Sequence, residues 1–374
     1  MTPAGADPSR LPAFLRQTKA EIHHKYVDLE WQQRNRLLAG SQAPSTGSSS
    51  QWSRLTGDVV TTRNRYLNVE PYAQNRIRLK VGEGASDYIN ASPIVLGQRR
   101  YIATQGPKDT SVHHFYRMLA SEVRSPAVVV MLTQTHEAGR EKCFQYYPLS
   151  ADESPLVLTS QEEDAHKEDA TGEVVLVDAE EDVKTRSEIR RLRLRWKRDG
   201  GNAAEDKDIH HLLFSGWPDF LIPEGEDKDA MIELIRLSAH LNSPSSTTTL
   251  TNGHTPASSL HDFANSDQSN PRIVHCSAGV GRSGTFIALD YLQSLLYTGQ
   301  LDHLPADNDP VADTVDLMRQ QRMMMVQGEP QFNFIYEVLR ELYLARLDAG
   351  GMANGQVIDN EGNTTAGANA KGAG

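Results

Sequence analysis

Two cysteines among 374 residues are too few for a disulfide framework, and a reducing compartment suits them. Long apolar runs are missing too: nowhere do about 18 apolar residues follow one another, the length a spanning helix needs. The start, Met1-Thr2-Pro3-Ala4-Gly5-Ala6-Asp7, lacks the basic and then apolar pattern of a secretory leader. A soluble monomer of the cytoplasm or nucleus is the expectation. Positive charge is scarce: 38 Lys and Arg face 49 Asp and Glu, a net charge of -11, and no long basic stripe exists. Nucleic acid and anionic membrane are therefore poor partners. The His, Cys, Asp and Glu residues show no metal-site spacing, so neither a metal nor another cofactor is implied. There is no internal repeat.

What is present is a globular composition with one concentrated feature. In Val274-His275-Cys276-Ser277-Ala278-Gly279-Val280-Gly281-Arg282-Ser283-Gly284-Thr285, a cysteine and an arginine bracket five residues rich in glycine. Ile273-Val274 reads as the end of a buried strand, and Phe286, Ile287, Leu289, Leu292, Leu295 and Leu296 recur at helical spacing. The loop thus joins a strand to a helix N-terminus, where free amides and the helix dipole favour an anion and lower the pKa of a nearby thiol. Cys276 is expected to be a thiolate. The amides of Ser277, Ala278, Gly279, Val280 and Gly281 can converge on a tetrahedral phosphate; Gly279, Gly281 and Gly284 tolerate the positive φ and close approach this needs. Arg282 offers a bidentate fork, and Ser283 a hydroxyl for the sulfur.

This stretch resembles the active-site motif of the protein tyrosine phosphatases, and further segments extend the resemblance from Asn64 to Gln331. Gly216-Trp217-Pro218-Asp219-Phe220, after the strand-like Ile209 to Phe214, is similar to the family's mobile acid loop. The resemblance implies that Asp219 protonates the leaving tyrosine, with Trp217 as a supporting residue. Leu221 stands where the family usually has glycine. Asn64-Arg65-Tyr66-Leu67-Asn68-Val69-Glu70-Pro71 is similar to the phosphotyrosine-recognition loop, in which Tyr66 walls a pocket too deep for phosphoserine. Asn68 replaces an Asp that often holds the peptide backbone. Leu67 replaces an Arg found in some members, which implies a weaker preference for acidic flanks.

The run from Met318 to Gln331 resembles the glutamine loop, in which Gln327 positions the attacking water and Gln331 supports it. Bulky Met324 should narrow or close the second phosphotyrosine site that glycine opens in some members. Glu137 is the carboxylate the resemblance assigns to orienting Arg282, and it places Lys142 near Asp219. His275 completes the motif, whereas Cys143 reads as a structural thiol.

The implied fold is α/β: one domain with a highly twisted central mixed sheet flanked by helices. Its bounds are residues 11–347, after a flexible 1–10 and before a disordered 348–374, with low-complexity segments near 40–50 and 242–270. Leu15, Ile22, Tyr26 and Leu29 mark a first amphipathic helix. The acidic stretch Glu162 to Asp182 reads as a solvated excursion that Val174 to Val177 could turn into a strand. Ala127 to Leu132 should be a fully buried strand, and Leu192, Leu194 and Trp196 a one-sided one. The insertions look like those of fungal members, whose substrates include activated MAP kinases, so phosphotyrosine proteins of that kind are the implied partners. Two rivals stand beside this reading: a dual-specificity phosphatase, and a non-catalytic phosphotyrosine-binding module.

Overall fold

The computed structural model describes residues 8–42, 50–159, 171–197, 204–218, 221–243 and 259–362, with side chains to residue 349. In chain order the elements are α1 (Lys19–Ser41), α2 (Asp58–Arg63), β1 (Ala91–Leu96), β2 (Arg99–Thr104), α3 (Val112–Glu122), β3 (Ala127–Met131), β4 (His136–Glu137), β5 (Arg140–Glu141) and β6 (Leu156–Leu158). There follow β7 (Thr171–Asp182), β8 (Ser187–Lys197), β9 (Ala204–Phe214), α4 (Glu226–Asn242), α5 (Leu260–Asn265), β10 (Arg272–His275), α6 (Gly281–Tyr297), α7 (Pro310–Gln321) and α8 (Glu329–Gly362).

Eight strands form one mixed sheet in the order β1-β2-β10-β3-β9-β8-β7-β6. Its centre is parallel, since β10 pairs in parallel with β2 and β3, and β3 with β9. Every residue of β3 is buried, as a continuous apolar run between two parallel neighbours requires. Successive side chains then alternate between two cores. Val128, Val130, Leu212 and Val274 face the core shared with α4, α6, α7 and α8, whereas Val129, Met131, Ile209 and Ile273 face the one under α3. The mixed α/β architecture is as the sequence implies.

Several sequence boundaries move. Leu15 lies in a short turn before α1; the helix itself starts behind a capping box in which Thr18 Oγ1 accepts from the Glu21 amide and Glu21 accepts from that of Thr18. Pro8–Arg10 forms a turn held by an Arg10–Asp348 ion pair, so residues 8–10 belong with the domain; residues 1–7 lie outside the described residues. Within 40–50, Gly40 and Ser41 end α1 and residues 43–49 lie outside.

The acidic stretch is not a solvated excursion over Thr171–Asp182. There it is β7, whose Glu173 and Asp178 sit directly opposite Arg195 and Arg191 of β8. Opposite charges across strands stabilise the pairing that the sequence of either strand hides. Residues 160–170 lie outside the described residues, as do 244–258 of the segment 242–270. The rest of that segment is ordered, because Ser259 and Asp262 cap α5 and buried Phe263 anchors it. Beyond Asp348 the backbone stays helical to Gly362, since extending a packed helix costs less than nucleating one. Residues 363–374 lie outside.

Candidate active site

Parallel strands deliver their carboxyl ends to one edge, and four of them converge there. β10 delivers Cys276, β2 delivers Gln105 and Gly106, β9 leads to Trp217, and β3 leads to the β4–β5 hairpin. That hairpin turns through Ala138 and Gly139, both at positive φ, a tight geometry that fixes Glu137 on one arm.

Cys276 sits almost fully buried between β10 and α6. Burial alone pushes a thiol up, but the Arg282 guanidinium, the Ser283 hydroxyl and amide and the Gly279 amide outweigh it and hold Cys276 below its usual value. The Gly279 amide donates to Sγ at 3.2 Å. Ser283 acts through its dipole, because its buried Oγ makes no geometrically complete hydrogen bond. Arg282 forms a bidentate pair with Glu137, at 2.6 and 3.1 Å, and donates to the Trp217 carbonyl at 3.2 Å. Glu137 also accepts from Thr133 Oγ1 at 2.7 Å. The guanidinium is therefore aimed before any anion arrives.

Only Gly279 of the loop glycines has positive φ, at +72°. A Cβ there would lie 2.0 Å from the Thr104 carbonyl oxygen. Gly284 is needed for approach instead, its Cβ position being 2.4 Å from the Val326 amide, while Gly281 faces the Gln331 side chain. Arg322, within the Met318 to Gln331 segment, braces the phosphate loop from behind. Fully buried, it donates to the carbonyls of Gly279 at 2.9 Å and Ala278 at 3.1 Å, and to Asn90 Oδ1 at 2.8 Å. Burial pulls its pKa down to about 10, so it stays cationic at neutral pH. A charged residue directly before the run Met323-Met324-Met325 is the available signal, since a buried charge needs several partners.

Tyr66 stands at the wall, and its hydroxyl meets Ser277 Oγ at 2.8 Å. Ser277 donates its single proton to the Lys142 carbonyl at 2.9 Å, so Tyr66 is the donor to Ser277. Lys142 is itself buried. The recognition loop is pinned by Arg65, which donates to the carbonyls of Gly106 and Pro107, and by Asn90, which donates to Asn64 Oδ1 and the Val69 carbonyl. Asn68 and Leu67 point outward, Leu67 being 70% exposed. Cys143 is fully buried, and burial raises its pKa, as a structural thiol requires.

Gln327 is exposed at the rim and Gln331 is buried beneath, accepting from the Gly328 amide at 3.3 Å. Met324 is half-buried against the core, at a φ of +61° that explains why glycine can occupy the position; Val326 is at +57°.

His275 is fully buried and burial lowers its pKa to about 4, so it is neutral. Its Nδ1 faces the Cys276 carbonyl at 3.2 Å and must carry the proton, which leaves Nε2 to accept from Tyr146 at 2.7 Å. Tyr146 in turn accepts from His211 Nε2 at 2.9 Å. Tyr146 and His211 escaped the sequence reading because nothing local links them to residue 275. Trp217 is buried, packs edge-on to Phe334, and donates to the Leu221 carbonyl at 3.0 Å. Asp219 and Phe220, between these two anchors, lie outside the described residues. Among the described residues no group of three potential ligands could hold a metal ion, and no helix is long and apolar enough to cross a membrane.

Comparison with known proteins agrees with this geometry. A family model described as protein-tyrosine phosphatase matches residues 60–341. Tyrosine-protein phosphatase 2 of Schizosaccharomyces pombe is 33% identical over 322 residues, 86% of this chain but 39% of that protein. Tyrosine-protein phosphatase 1 of Saccharomyces cerevisiae is 32% identical over 359 residues, 88% of this chain and 97% of that protein. The chain thus spans about two fifths of the first relative and nearly all of the second. The crystal structure of the catalytic domain of human protein tyrosine phosphatase non-receptor type 18 covers 88% of this chain and 99% of its own, with a TM-score of 0.63 and 26% identity.

Proposed function

The chain belongs to the protein-tyrosine phosphatase family, and on that premise we propose that it hydrolyses phosphotyrosine in proteins through a phosphocysteine intermediate. The observation that carries the proposal is the buried, pKa-lowered Cys276 facing an Arg282 already aligned by Glu137. In the first step the Cys276 thiolate forms the S–P bond while the P–O bond to tyrosine breaks, and Asp219 gives its proton to the departing oxygen. Arg282 and the loop amides hold the equatorial oxygens. Next, water positioned by Gln327, with Gln331 beneath it, attacks phosphorus. The S–P bond breaks, Asp219 takes the water proton, and phosphate leaves.

Tyr66 supplies the depth that selects tyrosine, Asn68 meets the peptide backbone, and Lys142 and Trp217 support the acid loop. Residues 8–348 form the catalytic unit, a cytoplasmic or nuclear monomer that uses no metal. Human non-receptor type 18 phosphatase has been solved with HER2 phosphopeptides, which supports phosphotyrosine proteins as substrates here. By analogy with fungal members, an activated MAP kinase is the candidate to test for a signalling role.

The test is phosphate release, with chelator present, from one peptide carrying phosphotyrosine or phosphothreonine at the same site, beside the Cys276→Ser protein. Release from phosphotyrosine alone, abolished in Cys276→Ser, is expected. Comparable release from both peptides would reassign the protein to the dual-specificity class, and no release from either would favour a binding module. Asp219→Ala should slow turnover while retaining substrate.

A further inference from the structure

The segment carrying Gln327 is held from outside, one peptide group after another. Gln33 of α1 accepts from the Met324 amide at 3.1 Å. Arg319 of α7 donates to the carbonyls of Met325 at 3.0 Å and Val326 at 2.9 Å, and the Val326 amide reaches the Val280 carbonyl at 3.1 Å. Tyr26 of α1 completes the series by donating its hydroxyl to the Gln327 carbonyl at 2.8 Å. Such restraint is needed, because Met324 and Val326 both occupy the left-handed region that side chains avoid. Released, this backbone would relax away from the conformation that aims Gln327.

Tyr26 is itself fixed. Its ring packs on Phe332 of α8 with centroids 5.8 Å apart, and the Arg319 guanidinium lies 5.7 Å from its centre. That guanidinium is tied back to α1 through Glu30 at 2.9 Å. These contacts hold the ring, and with it the hydroxyl, beside the Gln327 carbonyl.

We propose that Tyr26 is a positioning residue for the second half-reaction: its hydroxyl fixes the Gln327 peptide and thereby the side chain that orients the water attacking phosphocysteine. The proposal rests on the phosphocysteine reading above. It makes the N-terminal helix part of the hydrolytic machinery although Tyr26 touches neither substrate nor sulfur.

Kinetics separate this role from simple packing. The ratio kcat/KM reports steps up to formation of phosphocysteine, whereas kcat includes its hydrolysis. In the full-length protein, Tyr26→Phe keeps the ring and removes the hydroxyl that donates to the Gln327 carbonyl. It should lower kcat about three- to tenfold, the size of one such bond, with kcat/KM within twofold. Stopped flow with p-nitrophenyl phosphate should show a burst of nitrophenol approaching one per active site, as should Gln327→Ala. Gln33→Met, which removes the acceptor at Met324, should move kcat in the same direction and serves if Tyr26→Phe is unstable.

Equal losses in kcat and kcat/KM for both α1 variants, or no burst in either, would overturn the proposal. A burst in Gln327→Ala without one in Tyr26→Phe or Gln33→Met defeats the positioning role alone. Absence of a burst in Gln327→Ala removes the water-orienting reading and this inference with it.

Discussion

Replacing Gly279 by alanine sets the sharpest test of the phosphate cradle. At a φ of +72° an alanine costs about 1–2 kcal/mol from backbone strain alone. Its Cβ would also stand 2.0 Å from the Thr104 oxygen, 2.3 Å from the Thr104 carbon and 2.8 Å from the Gln105 nitrogen. Ordinary carbon–oxygen approach is roughly 3.3 Å or more, so either the loop or the end of β2 must retreat by about 1.3 Å. Thr104 pairs in register with His275, next to the nucleophile, so neither partner can yield alone. A displacement of about 1 Å at reacting atoms costs on the order of a hundredfold. We therefore expect Gly279→Ala to lower kcat/KM on a phosphotyrosine peptide by about 100-fold or more, with about 2–4 kcal/mol lost from stability.

The comparison set comes from the same geometry. Gly284→Ala meets the Val326 amide at 2.4 Å and should also be severe, Gly281→Ala meets the movable Gln331 side chain at 3.1 Å and the Gln327 Cβ at an ordinary 3.4 Å and should be milder, and Gly82→Ala meets nothing within 4 Å. Initial rates with thermal melts on each variant give the ranking. Activity of Gly279→Ala within about threefold of the parent, or below-parent activity for Gly82→Ala of the same size, would refute the steric reasoning.

Glu137→Gln should destabilise the free protein by about 2–3 kcal/mol, because Arg282 stays buried with a weakened partner. Saturating inorganic phosphate should recover part of that loss, and an identical ligand-induced melting shift in parent and variant would count against it. His275 has a folded pKa near 4 against an ordinary 6.5, so the stability of its neutral form is complete above pH 6.5 and is lost as pH falls through 4. Urea midpoints across that window should fall less steeply in His275→Gln; an unchanged slope would show that this imidazole does not contribute. Alkylation of Cys276 by iodoacetate should have its midpoint below 9.0 and shift upward in Ser283→Ala, since the Ser283 dipole is among the groups that lower the pKa. A parent midpoint at or above 9.0 would contradict the charge balance drawn around the sulfur.

The parts of this molecule legible in its sequence are those whose cause is local. The order strand, loop, helix around Cys276 follows from apolar periodicity and glycine spacing, and β3 follows from its unbroken apolar run. What the sequence conceals is set by distant partners. Glu173 and Asp178 look like a solvated acidic run until Arg195 and Arg191 are found opposite them. Arg322 looks ordinary until four acceptors from two distant segments surround it, and His211 and Tyr146 gain meaning only where β9 and β10 flank β3. Helical order at Leu260–Asn265 and beyond Asp348 is hidden because low-complexity composition says little about capping or about a helix propagated from a packed start.

One small network has a consequence for how this chain can change. Asn242, at the end of α4, donates to the carbonyl of Asn270 at 2.9 Å and to Gln268 Oε1 at 3.2 Å, while Gln268 reaches back to the Ala239 carbonyl at 2.8 Å. These buried amides clasp the two sides of a stem, so the strand that carries the nucleophile starts from the same place whatever the chain does between residues 243 and 259. Once such a stem is closed, doubling the length of chain it spans costs only about 0.6 kcal/mol. Residues can be gained or lost at that point over evolutionary time without the catalytic centre registering the difference.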